Sequence, residues 1–416
     1  MAEKKIIFHI DVNNAFLSWT AVYRMQVLGE TDDLRLVPSI VGGDREMRHG
    51  VVLAKSMPAK KFGIQTGEPI AQALQKCPEL VIVPSQHKMY EEYSSKFMKI
   101  LSEYSPTVEQ YSIDEAFVDM TGMELLFGPP VECAHKIKDR IKNELGFTVN
   151  VGISTNRLLA KMASDFKKPD LVHTLFPEEM EKKMWPLPVE DLFFVGKATA
   201  SKLHMLGIHT IGELAKSDRK LLHTHLKSMG DTIWEFANGL DDGLGARKGQ
   251  EAKGCSNETT MAHDVTEERE AQEILLSLVE QVSGRLRADG KRAEVISVGI
   301  KDKWFVSASH QCVLNNPTAG TRELFEQAKI LLQELWDGRP IRLLNFTVSR
   351  MTEEESRQLS FFDTTDYEKQ EKAEKAMDAI RGKFGAGAIK RAVFLPTQEN
   401  KGESEKGGWP EKRKET

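Results

Sequence analysis

Hydrophobic and polar positions along the chain first predict a buried strand over residues 5–12, where Phe8-His9-Ile10-Asp11-Val12 carries an acid near its end. Residues 34–84 read as a small subregion of short elements, punctuated by Gly42-Gly43, Gly50, Gly63 and Gly67. Tyr90, Tyr93, Phe97, Ile100, Leu101 and Tyr104 recur at three- and four-residue spacings and predict a helix over 87–104. Two short strands are expected within 107–120, meeting near Asp114-Glu115. A helix follows over 130–145, then a strand over 147–154 and a helix from Asn156 to Lys168 that Pro169 stops. Strand, helix, hairpin, helix, strand implies an antiparallel sheet backed by helices, an α+β layer. In that layout Asp11 and Asp114-Glu115 can lie side by side on neighbouring strands.

Residues 186–245 read as helices joined by short turns. Within them, Phe194-Val195-Gly196-Lys197 leading into Leu203-x-x-Leu206-Gly207-Ile208 resembles a helix-hairpin-helix, with Phe194 standing where a first glycine is expected. Such a turn offers backbone N–H groups and a helix N-terminus to a phosphate. Beyond a charged linker, Lys248 to Lys253, strands near 292–300, 304–313 and 341–350 alternate with helices near 267–288 and 319–336. They predict a second α+β domain. A tail follows, with one charged helix from Tyr367 to Phe384 and an end, Pro396 to Thr416, rich in Glu, Lys, Gly and Pro.

Composition narrows the class. The 416 residues suit two to four domains, and 40% hydrophobic with 29% charged residues is globular usage. No apolar run approaches the ~18 residues of a membrane span, and no secretory h-region opens the chain, so a cytoplasmic protein is expected. Cys77, Cys133, Cys255 and Cys312 are scattered without a C-x-x-C pair, which argues against a zinc knuckle or redox motif. The net charge of −5 does not forbid nucleic acid, because a local stripe is enough. Arg285, Arg287, Lys291 and Arg292 form one such cluster, and Arg157, Lys161, Lys167 and Lys168 another.

Tyr111-Ser112-Ile113-Asp114-Glu115-Ala116-Phe117 sets two adjacent carboxylates in an apolar, strand-like context. Burying acids in this way is costly unless a cation compensates. Three carboxylates from two strand ends point to a divalent-metal site for phosphoryl chemistry. Asp11 and Asp114 could bridge two ions and Glu115 complete one of them, with the Val12 carbonyl as an extra ligand. Hard oxygen donors without His or Cys favour Mg²⁺ over Zn²⁺.

Four motifs now stand in order: Asp11-Val12-Asn13-Asn14-Ala15-Phe16; Ser112-Ile113-Asp114-Glu115-Ala116; Gly152-Ile153-Ser154-x-Asn156 running on to Ala160-Lys161-x-Ala163-Ser164-Asp165-x-x-Lys168-Pro169; and the helical hairpin. Over roughly residues 4–350 the chain resembles the Y-family translesion DNA polymerases, in their bacterial branch. The resemblance implies a right-hand architecture: a palm over 1–35 and 84–175, small fingers over 36–83, a thumb with the helix-hairpin-helix over 176–247 and a DNA-binding little finger over 254–350. It implies Asp11, Asp114 and Glu115 as catalytic metal ligands for two Mg²⁺ ions, Phe16 as the steric gate against a ribose 2′-hydroxyl, and Lys168 as a triphosphate-binding lysine. Gly196 and Lys197 would contact DNA, as would Arg285, Arg287, Lys291 and Arg292. Primer-template DNA and a deoxynucleoside triphosphate (dNTP) are the implied substrates, low-fidelity synthesis past damaged template the implied activity, and a monomer the expected state. The fingers depart from the pattern: Met57 and Lys60 stand where the family commonly has Tyr and Arg. Lys60 keeps the charge but loses bidentate geometry, and Met57 cannot donate to phosphate. In the tail, over 351–416, Gln358-Leu359-Ser360-Phe361-Phe362 resembles a sliding-clamp-binding peptide, which makes the clamp's beta subunit an expected partner. Two rival readings remain, a nucleotide cyclase on the same palm layout and a non-catalytic clamp-bound DNA scaffold.

Overall fold

The computed structural model describes residues 5–43, 50–241, 252–353, 367–385, 387–389 and 391. It divides into two compact units, Met1–Gln250 and Glu251–Thr416.

The first unit opens with strand β1 (Ile7–Val12), all six residues of which are buried, and helix α1 (Ala15–Gln26). The two are joined through Asn14, which sits in the left-handed region at φ 51°. Next come β2 (Ser39–Gly42), β3 (Val52–Lys55), α2 (Met57–Lys61), α3 (Ile70–Lys76) and β4 (Val81–Pro84). These make a small three-stranded sheet in the order β3-β2-β4, over its own core of Ile40, Val52, Ala59, Ile64, Ile70, Ala73, Cys77 and Leu80. The chain then adds α4 (His87–Ser102), β5 (Val108–Gln110), β6 (Glu115–Asp119), α5 (Glu124–Phe127), α6 (Pro130–Leu145), β7 (Val149–Ser154), α7 (Arg157–Asp165) and β8 (Val172–Thr174).

The main sheet runs β5-β6-β1-β7-β8. Central β1 pairs antiparallel with both β6 and β7. The edge strand β8 is parallel to β7, so the sheet is mixed rather than wholly antiparallel as the sequence predicts. A three-residue edge strand is too short to show an alternating pattern. Alternation along β1 divides its side chains between two layers. Phe8, Ile10 and Val12 pack with Tyr90, Phe97, Ile137 and Phe147 under α4 and α6. Ile7 joins Phe117, Leu158 and Leu159 on the other side, and His9 and Asp11 belong to that same face. Burial of Phe8 and Ile10 contributes about 1.5–3 kcal/mol each.

Gly152 lets α7 lie directly on the sheet. A Cβ there would stand 2.0 Å from the Ala160 carbonyl oxygen and 2.4 Å from the Ser164 nitrogen. Asn156 caps α7, its Oδ1 accepting from Leu159 N–H at 2.8 Å, while its Nδ2 donates to the Gly239 carbonyl at 2.9 Å. The helix ends at Asp165, three residues earlier than predicted, and Lys168 follows it in irregular chain. Helices α8 (Met180–Lys183), α9 (Lys197–Met205), α10 (Ile211–Lys216), α11 (Arg219–Leu226) and α12 (Ser228–Ala237) share a core with the inner side of α7.

The second unit is β9 (Gly254–Val265), α13 (Glu268–Ala288), β10 (Arg292–Asp302), β11 (Ser307–Thr318), α14 (Thr321–Leu335), β12 (Ile341–Thr352) and α15 (Tyr367–Phe384). Its antiparallel sheet has the order β11-β10-β12-β9. Leu275, Val279 and Val282 of α13 and Leu324, Ala328 and Leu331 of α14 pack on Ile296, Val298, Leu344 and Phe346. Strand β9, mostly polar and half-exposed, is not predicted from sequence, and β11 begins at Ser307 because 303–306 form a turn.

Candidate active site

The sheet register brings the three predicted acids to one end. Asp11 is the Cα partner of Glu115 across β1 and β6, and Val12 N–H donates to the Asp114 carbonyl at 3.0 Å. Asp11 is buried, while Asp114 and Glu115 are half-buried. Ser112 Oγ donates to the Asp114 carboxylate at 2.7 Å and steadies the turn that presents it.

Each of the two facing acids has its own lysine, and both lysines come from α7 or just beyond it. Lys168 donates to Asp11 and, at 2.8 Å, to Asp165. Lys161 donates to Glu115 at 2.9 Å. Arg157, at the start of the helix, pairs with Glu109 at 2.5 Å. The basic cluster seen at 157–168 is therefore largely taken up by acid partners and is not an open stripe.

The two acids are driven in opposite directions. Burial pushes the Asp11 carboxyl up to about 6; Lys168 opposes this, and the nearby charges of Glu115 and Asp165 add to it. Burial would raise Glu115 too, but His9 and the Lys161 ammonium outweigh it and hold the carboxyl down at about 2. Lys168 is raised, because Asp11 and Asp165 more than offset its burial. His9 is buried beside Glu115, its Nε2 3.6 Å from Glu115 Oε2, beyond hydrogen-bond reach, and among the described residues that nitrogen has no hydrogen-bond partner. Its Nδ1 meets Ser164 Oγ at 2.8 Å, and burial lowers its pKa.

Sequence reasoning does not find Asn150, which organises the other side of the site. It is fully buried and is the Cα partner of Asp11 on β7. Its Nδ2 donates to the carbonyls of Ser164 (3.1 Å) and Lys167 (2.7 Å), and its Oδ1 accepts from Asn13 Nδ2 at 3.2 Å. These bonds hold the chain that carries Lys168 against the sheet. A lone amide in an apolar strand was the available signal, and a buried amide needs partners. Lys161 stood in the sequence as a motif residue and as one charge of a basic cluster, without an acid partner assigned to it.

Phe16 is half-buried in the first turn of α1, stacked on Tyr90 with ring centroids 4.7 Å apart and edge-on to His87 at 6.4 Å. The Asn14 side chain ties this turn to the small sheet, its Nδ2 donating to the Lys55 carbonyl at 2.6 Å. Ser56 caps α2, accepting from Ala59 N–H at 3.1 Å, and Met57 and Lys60 are both exposed on that helix, three residues apart. Gly196 is the N-cap of α9, and a Cβ there would meet nothing within 4 Å; Lys197 beside it is exposed. Phe194 takes φ 74°, a conformation a glycine would adopt without strain.

In the second unit the predicted DNA-contacting residues divide. Arg285 is exposed and donates to the Ser256 carbonyl at 2.9 Å. Arg287 is instead buried in ion pairs with Asp378 (2.6 Å) and Glu374 (3.2 Å) of α15, so it serves packing and not an open surface. Arg292 lies 3.6 Å from Glu371 of the same helix, and Lys291 is half-buried beside it. The clamp-like segment, Gln358 to Phe362, lies outside the described residues.

The donor set fits a hard divalent cation. Two carboxylates face each other at a strand end, one of them reluctant to ionise, and both are met by ammonium groups that supply the positive charge. Among the described residues no three His, Cys, Asp or Glu side chains are already gathered closely enough to enclose an ion. No described helix is long and apolar enough to cross a membrane.

Comparison with known proteins gives consistent results. The impB/mucB/samB family model matches residues 10–165, its C-terminal domain matches 252–361, and the IMS family HHH motif matches 177–208. DNA polymerase IV of Clostridium acetobutylicum is 48% identical, covering 95% of this chain and 99% of that one. DNA polymerase IV of Clostridium kluyveri is 34% identical over 95% of this chain and 100% of its own, and DNA polymerase IV 2 of Bacillus subtilis is 36% identical over 95% and 96%. A solved Y-family DNA polymerase chimera shares the fold at a TM-score of 0.71 and 21% identity, over 84% of this chain and all of its own.

Proposed function

The chain belongs to the Y-family DNA polymerases of the impB/mucB/samB family, and on that premise we propose that Asp11, Asp114 and Glu115 form its nucleotidyl-transfer centre. It is a template-directed, low-fidelity translesion DNA polymerase. The reaction is in-line attack of a primer 3′-hydroxyl on the α-phosphate of a dNTP, releasing pyrophosphate.

The chemistry uses a divalent metal, which we assign as two Mg²⁺ ions held by the three carboxylates. When bound there, Mg²⁺ lowers the pKa of the attacking hydroxyl and offsets charge on the leaving triphosphate. The observation that carries the assignment is the cross-strand pairing of Asp11 with Glu115, each already matched to an ammonium group. Lys168 moves from Asp11 to the triphosphate when nucleotide arrives, a point charge suited to a phosphate that gains charge. The Phe16 ring, braced by Tyr90, closes the space that a 2′-hydroxyl would need. Lys60 supplies a single charge to the triphosphate, and Met57 beside it supplies none.

Residues 1–35 and 84–175 serve as the palm, 36–83 as fingers, 176–247 as thumb and 254–350 as little finger. Gly196 and Lys197 meet a backbone phosphate at the α9 N-terminus, and Arg285 reaches DNA from the second unit. Gln358 to Phe362 dock on a sliding clamp, whose tether raises the effective concentration of a monomeric enzyme at the primer end. Such an enzyme works in the cytoplasm.

Primer extension with Mg²⁺, comparing wild type with Asp114→Ala, is the direct test. Extension by wild type that Asp114→Ala abolishes supports the assignment and removes both the cyclase and scaffold readings. Extension that survives the substitution refutes it.

A further inference from the structure

Lys161 is 6% exposed, which is unusual for a lysine in the middle of a helix. A buried ammonium is costly unless its charge and donors are met. Here three residues from two separated parts of the first unit meet them. Glu115, on β6, accepts from the ammonium at 2.9 Å. The ring of Tyr111, in the turn between β5 and β6, lies 5.5 Å from it, and the ring of Phe193, in the segment leading to the helical hairpin, lies 5.3 Å from it. Both distances are within cation–π range.

The contacts on Glu115 are also one-sided. Among the described residues, Lys161 donates to Oε2 at 2.9 Å and His9 Nε2 lies nearest the same oxygen, at 3.6 Å and without a hydrogen bond, which leaves Oε1 as the oxygen available to a ligand. Lys168 is committed to Asp11 and Asp165 and does not share this task. A lysine held by two rings has little freedom to follow a substrate, so its role differs from that of the half-exposed Lys168.

We propose that Lys161 is a positioning residue that fixes the Glu115 carboxylate through Oε2 and presents Oε1 to the catalytic ion. The proposal rests on reading Glu115 as a metal ligand. Residues that orient a ligand in this way typically carry about 10–100-fold in metal affinity or activity.

The test uses the full chain, with Mn²⁺ as the probe, bound ion being counted by loss of its free paramagnetic resonance signal without nucleotide. Lys161→Met should weaken Mn²⁺ binding about 10-fold and lower kcat similarly, with KM for dNTP changed less than about twofold. Lys161→Arg, which keeps charge and ring contact, should restore binding to within about threefold. Because the two residues act together, Glu115→Gln with Lys161→Met should lose no more than Glu115→Gln alone. Wild-type Mn²⁺ binding in Lys161→Met, or additive losses in the double variant, overturns the positioning role while leaving Glu115 as a ligand. Wild-type Mn²⁺ binding and kcat in Glu115→Gln overturns the ligand reading itself. If Lys161→Met does not fold by circular dichroism, Phe193→Leu removes one ring; weaker Mn²⁺ binding by about threefold supports the role and unchanged binding refutes it.

Discussion

Asp11 and Glu115 face each other on adjacent strands, yet the Asp11 carboxyl titrates near 6 and the Glu115 carboxyl near 2. The difference follows from their surroundings. Asp11 is the more deeply buried and has two acidic neighbours, whereas Glu115 keeps partial exposure and a dedicated ammonium. One acid of the pair is therefore ready to ionise and the other waits for positive charge.

That asymmetry sets a pH dependence. A carboxyl whose pKa is raised on folding favours the folded state below its unfolded value, near 4, and loses that advantage as pH rises through about 6. Ionised Asp11 thus costs at most about 3 kcal/mol at pH 8. Asp11→Asn should melt several degrees above wild type at pH 8 without metal, and the gap should close toward pH 4. Calorimetry across that range checks it, and a gap that widens on acidification contradicts the cause given. For wild type, the Mg²⁺ concentration giving half-maximal extension should rise about tenfold per pH unit below 6, since the ion must displace a proton.

Phe16→Ala should admit ribonucleotides far more readily while leaving Mg²⁺ dependence unchanged. Single-turnover incorporation of matched dNTP and ribonucleotide pairs measures the ratio. Unchanged discrimination would place the gate elsewhere.

The fingers offer a gain-of-function test. Met57 and Lys60 are exposed neighbours on α2. Met57→Tyr with Lys60→Arg adds a hydroxyl donor and a bidentate fork, worth about 1.5–3 kcal/mol for hydrogen bonds to charged groups. KM for dNTP should fall by about tenfold or more, with kcat little altered. A KM that does not fall means that triphosphate is gripped by other residues.

Leu359→Ala with Phe361→Ala should abolish stimulation by a sliding clamp and spare extension without it. Primer extension with and without clamp reads both values. Equal stimulation of the variant removes this segment from the interface.

The sequence by itself determined a great deal here. A buried apolar run placed β1, the spacing of Tyr90, Tyr93 and Phe97 placed α4, and the motif residues Gly152 and Asn156 proved to be the close approach and the cap of α7. All are local matters of period, cap and turn, readable within a few residues. The order of Asp11, Phe16 and Asp114-Glu115 along the chain carried the family resemblance, and the register of β1 and β6 sets Asp11 opposite Glu115. Tertiary structure decided the pairings. The structure gives Lys161 to Glu115 and Lys168 to Asp11, sets Asn150 behind both, and buries Arg287 against α15 where an open basic face was expected. Those outcomes depend on register and on which helix lies over which strand. A lysine looks alike in sequence whether it meets solvent, a phosphate or a carboxylate; only burial and the neighbouring charge distinguish them.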